Sequence, residues 1–176
     1  MLPMIRFYIT AAAALAGMAV AAPPGWAQVE ALTDRLAFPD GVSLTLSQEL
    51  SGLDPHEVEI EDASHLWIAE FTMEPGTSLP WHTHPALAVI GVTEGEFVFV
   101  LGEDCVRRDY SAGEAVVDTG DRIHSGYNPS EQEETVVVAA YFGAPADGEL
   151  NIPIDADEAA AHDERCELET PHPDAS

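Results

Sequence analysis

Met73-Glu74-Pro75-Gly76-Thr77-Ser78-Leu79-Pro80-Trp81-His82-Thr83-His84-Pro85 is the stretch that decides how this chain is read. Strand side chains alternate with period two, so His82 and His84 project to one side of an extended segment. Pro80 and Pro85 bracket the pair, and neither fits a helix interior, so the backbone here is extended. Two imidazoles on one side of a strand can share one metal ion. A third, His124, stands forty residues beyond His84 in a similar strand pattern. The competing reading of an isolated His-x-His is two polar surface residues on an edge strand.

Outward from this stretch the pattern is strand-like. Residues 42–46 and 57–61 alternate apolar and polar side chains, and residues 66–71 form a more buried run. Residues 86–92 and 97–101 are apolar on both faces, with Glu94-Gly95-Glu96 between them as a hairpin signal. Strands covered on both sides belong to a sandwich or barrel interior. Short strands over 105–110, 114–117, 123–128 and 135–142 complete the series, and no useful helical period interrupts residues 41–143. The expected fold is all-β, a sheet doubled or closed to hide its edges. Side chains expected to line its interior are Trp81, Ile90, Phe97, Phe99, Ile123 and Tyr127.

The flanks differ in character. Residues 1–27 read as an export signal: Arg6 starts it, residues 9–22 are apolar and alanine-rich, and Pro23-Pro24-Gly25 ends the run before small residues. A membrane anchor is the competing reading, but the run falls short of the roughly 20 apolar residues that spanning needs. Cleavage after Ala27 would deliver the chain to the periplasm or the exterior, with no membrane attachment afterwards. In that oxidising setting Cys105 and Cys166 are expected to form one disulfide. Residues 28–40 make an N-terminal arm in which 28–36 could form a short helix. Residues 41–145 are the β-domain. Residues 146–176 are an acidic, solvated arm with one helical turn near 157–165. His56, His65, His162 and His172 are expected at the surface, uninvolved in chemistry.

Charge excludes some functions. The 176 residues carry 32 acidic side chains against six arginines and no lysine, a formal net charge of −26. Nucleic acid and anionic membrane surfaces both need basic footprints, and none exists here. There is no Gly-x-Ser-x-Gly for nucleophilic hydrolysis and no glycine-rich cradle with a lysine for phosphate. The partners left open are a small molecule and a second copy of the chain.

The spacing of the histidines resembles the cupin superfamily, double-sheet jelly-roll barrels that bind a metal or small ligand inside. Gly76, five residues, His82-Thr83-His84 and a closing Gly95 follow its first motif. Gly113, His124 and Asn128 keep the spacing of the second, with Thr119 and Asp121 in place of its proline and glycine. The resemblance implies a metal held by His82, His84 and His124. It also implies a glutamate ligand at position 88 or 89, where this chain has Ala88 and Val89. Three imidazoles alone would leave coordination positions open, as catalytic sites do. An all-nitrogen set suits a divalent transition metal (Zn, Fe, Ni or Cu) and poorly matches Ca or Mg. Asp118, Asp121, Glu94 and Glu96 are expected at turns or on the rim. The functional classes in play are a metal-dependent, dioxygenase-like enzyme on a small organic substrate, a non-catalytic metal- or ligand-holding barrel, and a barrel that has lost its metal.

The charge imbalance fits either a salty working medium or an ordinary acidic secreted protein. On the first reading the melting temperature climbs with NaCl as screening shortens the self-repulsion. A flat or falling series removes that reading.

Overall fold

The computed structural model describes residues 27–171. The expected export signal, apart from Ala27, and His172 lie outside the described residues. In chain order the elements are β1 (Gln28–Ala31), β2 (Leu36–Ala37), β3 (Leu44–Gln48), β4 (His56–Ile60), β5 (His65–Met73), β6 (His82–Thr83), β7 (Leu87–Glu94), β8 (Glu96–Leu101), β9 (Arg107–Ser111), β10 (Ala115–Asp118), β11 (His124–Tyr127), β12 (Thr135–Phe142), β13 (Ile152–Pro153) and helix α1 (Ala156–Cys166). One large sheet runs β1-β5-β12-β7-β10, with β2 on the end of β5; a second runs β13-β6-β11-β8-β9, and β3 and β4 form a separate two-stranded sheet. Every pairing is antiparallel. The expected all-β jelly roll is what the chain forms.

The strand alternation shows why two sheets enclose one core. On β5, Ala69, Phe71 and Met73 are buried, and on β12 it is Val137, Ala139 and Tyr141. They meet Phe97, Phe99 and Leu101 of β8 from the opposite sheet in a single apolar cluster. The other face of β8 explains its doubly apolar sequence: Val98 and Val100 pack with Trp81, Ala159 and Cys166 in a second cluster under α1. β8 is thus covered on one side by the barrel interior and on the other by a helix.

Two local expectations are corrected. Glu94-Gly95-Glu96 is not a hairpin turn: β7 pairs with β10 and β12, whereas β8 pairs with β9 and β11. Gly95 carries the chain from one sheet to the other at φ +74°, where a Cβ would stand 2.5 Å from the Glu134 carbonyl oxygen. Only glycine fits both the torsion and the space. Residues 28–36 also form no helix. β1 lies along β5, Val29 opposite Phe71, and closes an edge that would otherwise expose unpaired backbone groups. So short a helix would be marginal on its own, and ladder hydrogen bonds to β5 win.

The acidic C-terminal segment is folded back, not loose. Arg35 donates hydrogen bonds to the carbonyls of Pro145 and Gly148. β13 pairs with β6, and α1 follows with Asp155 as its N-cap, accepting from the Glu158 N–H at 2.9 Å. Asp157 and Glu158 in the first turn and Arg165 in the last complement the helix dipole. Cys166, the last helical residue, is joined to Cys105 across 61 positions of sequence. Among the described residues no helix is long and apolar enough to cross a membrane.

A cross-link closing that span contributes about 4 kcal/mol on the chain-entropy account. Reduction, or Cys166→Ser, is therefore expected to lower the urea midpoint clearly and to steepen the slope, since the freed unfolded chain exposes more surface. An unmoved midpoint contradicts a stabilising bridge.

Candidate metal centre

His82 opens β6, His84 follows its end, and His124 opens β11, the strand paired with β6 so that His124 faces His82. Each histidine is buried. Ring centroids lie 4.3 Å apart for His82 and His124, 4.8 Å for His82 and His84, and 4.9 Å for His84 and His124. The structure brings all three together, each offering a nitrogen within 4.8 Å of the others, so they could hold a metal ion.

Backbone carbonyls set the ring orientations. His82 Nδ1 lies 2.7 Å from the Pro80 oxygen, His84 Nδ1 2.7 Å from the Leu150 oxygen, and His124 Nδ1 2.8 Å from the Arg122 oxygen. A carbonyl only accepts, so in each ring the hydrogen belongs on Nδ1 and the Nε2 lone pair faces inward. The local chain makes this possible. Pro80 and Arg122 each stand two residues before the histidine they orient, and Leu150 comes from the segment leading into β13.

A fourth group joins them. Asp118, the last residue of β10, is fully buried, contrary to its expected turn or rim position. Its Oδ2 lies 3.0 Å from His84 Nε2 and 2.9 Å from His124 Nε2. Close as these contacts are, no donor is aligned on that oxygen, as follows if the ring hydrogens are on Nδ1. Its other oxygen accepts from the Gly120 N–H at 2.9 Å. Four acceptors thus converge in a buried space, and buried acceptors left without a partner are costly. A cation placed among them would satisfy all four together.

The electrostatics agree. Burial would raise the Asp118 carboxyl, but His124 and then His84 more than offset it and hold the group far below the usual carboxylate range. Burial would lower His124, yet the charge and contact of Asp118 and the Arg122 carbonyl raise it above its ordinary value. His82 is pushed well down by burial and by the neighbouring His124 and His84. The raised His124 is thus the ring whose charged form Asp118 favours. Geometry leaves room for a metal: ligands about 2.1 Å from one tetrahedral ion stand about 3.4 Å apart, within a few tenths of an ångström of the two Asp118 contacts.

Beside these rings lies a cavity of about 30 Å³, lined by apolar side chains including Phe71, Met73 and Leu79. That is room for a water or two. Ile90, Phe97 and Phe99 line it as expected, whereas Trp81, Ile123 and Tyr127 belong to the second cluster, under α1. Tyr141 also lines it, its ring 5.2 Å from that of His84, and burial followed by the Asp118 charge keeps its hydroxyl protonated. Asn128 of the second motif serves the scaffold, since its Nδ2 donates to the Met73 and Glu133 carbonyls and ties β5 to the loop before β12.

Among the described residues the other carboxylates singled out above do not join the histidine cluster. Asp121 pairs with His56 at 3.0 Å, both partly exposed, and Glu94 and Glu96 are exposed at the inter-sheet corner. His162 is more engaged than its expected surface role, packing on Trp81 at 5.0 Å between ring centroids and accepting from Arg165. Asp118 is the site residue that sequence reasoning missed. The signal was present in Asp118-Thr119-Gly120, an aspartate two residues before a glycine that can bind its own backbone.

Residues 69–141 match the sequence profile of the cupin domain. That stretch is a cupin domain. No curated protein matches its sequence. Among solved structures it is similar to KdgF from a Halomonas species, at 14% identity over 71% of this chain and 84% of that one, with a TM-score of 0.48. A cupin 2 domain-containing protein from Halorhodospira halophila aligns at 19% identity over 68% and 73%, with a TM-score of 0.46. A cupin-like protein from Thermotoga maritima aligns at 19% over 55% and 72%, with a TM-score of 0.44.

A metal bound at this centre would compete with protons for His124, because only neutral imidazole ligates. Since the folded pKa of His124 is raised, affinity should keep climbing as pH passes 6.5, where ordinary imidazoles level off. Calorimetry in buffers of different ionisation enthalpy should show protons released on binding, and fewer of them as pH rises. Affinity flat above pH 6.5 contradicts the assignment.

Proposed function

We propose that this cupin is an exported metalloprotein that holds one divalent transition metal on the Nε2 atoms of His82, His84 and His124. We further infer that it works as a metal-dependent, dioxygenase-like enzyme on a small organic substrate. The observation that carries the reading is the set of three buried rings, each anchored through Nδ1 to a carbonyl, with their lone pairs converging beside an apolar cavity. Such an ion would supply Lewis acidity or dioxygen activation, and imidazole donors suit Zn, Fe, Ni or Cu. The chain's own part is to hold the rings rigid, keep Asp118 ionised beside them, and exclude bulk water with Phe97, Phe99 and Met73. Export is supported by the apolar N-terminal run of residues 9–22 and by the Cys105–Cys166 bridge, which suits an oxidising compartment.

A second reading, a barrel that holds metal without turnover, is favoured by one feature. A cavity of about 30 Å³ admits a water- or dioxygen-sized molecule but no organic substrate unless lining side chains move. His82→Ala and His124→Ala separate the two. Both readings expect elemental analysis of untagged protein to show about one ion per chain, lost in either variant. The enzyme reading expects a metal-dependent reaction to vanish with the ion, whereas the holding reading expects only thermal stability to fall. Unchanged metal content in both variants contradicts the site itself.

A further inference from the structure

The cupin pattern leaves six residues between its glutamate and its closing glycine, and counting back from Gly95 gives position 88, which is alanine. In the folded chain β7 and β10 pair antiparallel with Asp118 directly opposite Ala88. Directly opposed residues on such a pair project to the same face, their Cβ atoms about 4.5–5.5 Å apart. Both are buried, and Asp118 reaches the histidine cluster from the strand next door. We propose that Asp118 is the fourth metal ligand of this centre, the carboxylate having moved one strand sideways from position 88 to position 118. The proposal rests on the three-histidine reading and completes it.

The placement of Asp118 decides its role. A carboxylate that merely steadied the imidazoles would sit at their Nδ1 edges, but the Pro80, Leu150 and Arg122 carbonyls occupy all three. Asp118 Oδ2 lies instead on the Nε2 side, the side the ion takes, with no aligned donor of its own. Its Oδ1 is held by the Gly120 N–H, so the carboxylate offers one oxygen. Gly120 makes that grip possible: at φ +86° its missing Cβ would stand 2.3 Å from the Ala86 carbonyl oxygen. Its own carbonyl accepts from the His84 N–H at 2.7 Å, so one turn positions both ligands. Three neutral rings would leave a buried divalent charge uncompensated, and Asp118 halves it. Three nitrogens and one oxygen restore the family's donor count by a different route.

The test compares Zn(II) affinity, by chelator competition on metal-free protein, for the natural chain, Asp118→Asn, Asp118→Ala, Asp118→Ala with Ala88→Glu, and His124→Ala. Asparagine keeps the bond from Gly120 while removing the charge, so the variant should fold. We expect Asp118→Asn to lose at least about 100-fold in affinity, beyond the usual effect of an outer-shell residue, and to show a much smaller rise in melting temperature on adding Zn(II). The Ala88→Glu combination should recover at least tenfold over Asp118→Ala. The Co(II) absorption of Asp118→Asn should differ from that of the natural chain, reporting a lost oxygen donor. Natural affinity in Asp118→Asn, with binding lost in His124→Ala, overturns the proposal and leaves the histidine site standing. No recovery on adding Ala88→Glu also overturns it. Absence of binding in the natural chain overturns the histidine site and the proposal together.

Discussion

Four acceptors pointed at one another, three imidazole lone pairs and one carboxylate oxygen, are costly to bury unless something positive or a hydrogen-bond donor stands between them. This constraint organises the centre. The Pro80, Leu150 and Arg122 carbonyls fix each ring with its hydrogen outward. The Gly120 N–H fixes the carboxylate with one oxygen inward. A proton on His124 satisfies the arrangement by using up one ring's basicity, while a divalent ion satisfies all four groups at once. The folded chain has already set the orientation, so an incoming ion needs little rearrangement.

The fold exists around this cluster as a set of clamps. Antiparallel pairing places His124 opposite His82, and the inter-sheet corner at Gly95 turns β8 beneath them. On the outer face, Trp81 is fully buried next to His82, and its indole N–H donates to Asp163 of α1 at 2.8 Å. That helix is tied to the loop after β8 by the Cys105–Cys166 bridge. The C-terminal segment therefore does two jobs: Leu150 orients His84 from inside, and α1 buries the strand face behind His82. Loosening the helix would be felt at the histidines through a single tryptophan.

Much of this was legible in the chain. Period-two alternation marked most of the strands, and His82-x-His84 with His124 at cupin spacing marked the ring cluster. What escaped was set by pairing between distant segments. Whether Glu94-Gly95-Glu96 makes a hairpin or a sheet-to-sheet corner depends on which neighbours claim β7 and β8, and local turn chemistry is the same for both. The extended path of residues 28–36 depends on a free edge of β5 that no local pattern reveals. Asp118 was missed for the same reason. Along the chain it stands thirty residues from Ala88, and only the β7–β10 register puts the two side by side. The α1 face of β8 was likewise visible only as an unexplained second apolar side.

The proposed occupant of the centre is a single ion shared by residues distant in the chain, and anomalous diffraction from crystals grown with Zn(II) would locate it. One strong peak is expected in the barrel, about 2.0–2.2 Å from Nε2 of His82, His84 and His124 and from Asp118 Oδ2. Zinc found only on surface carboxylates, with the four inward atoms bridged by protons or water, would contradict it.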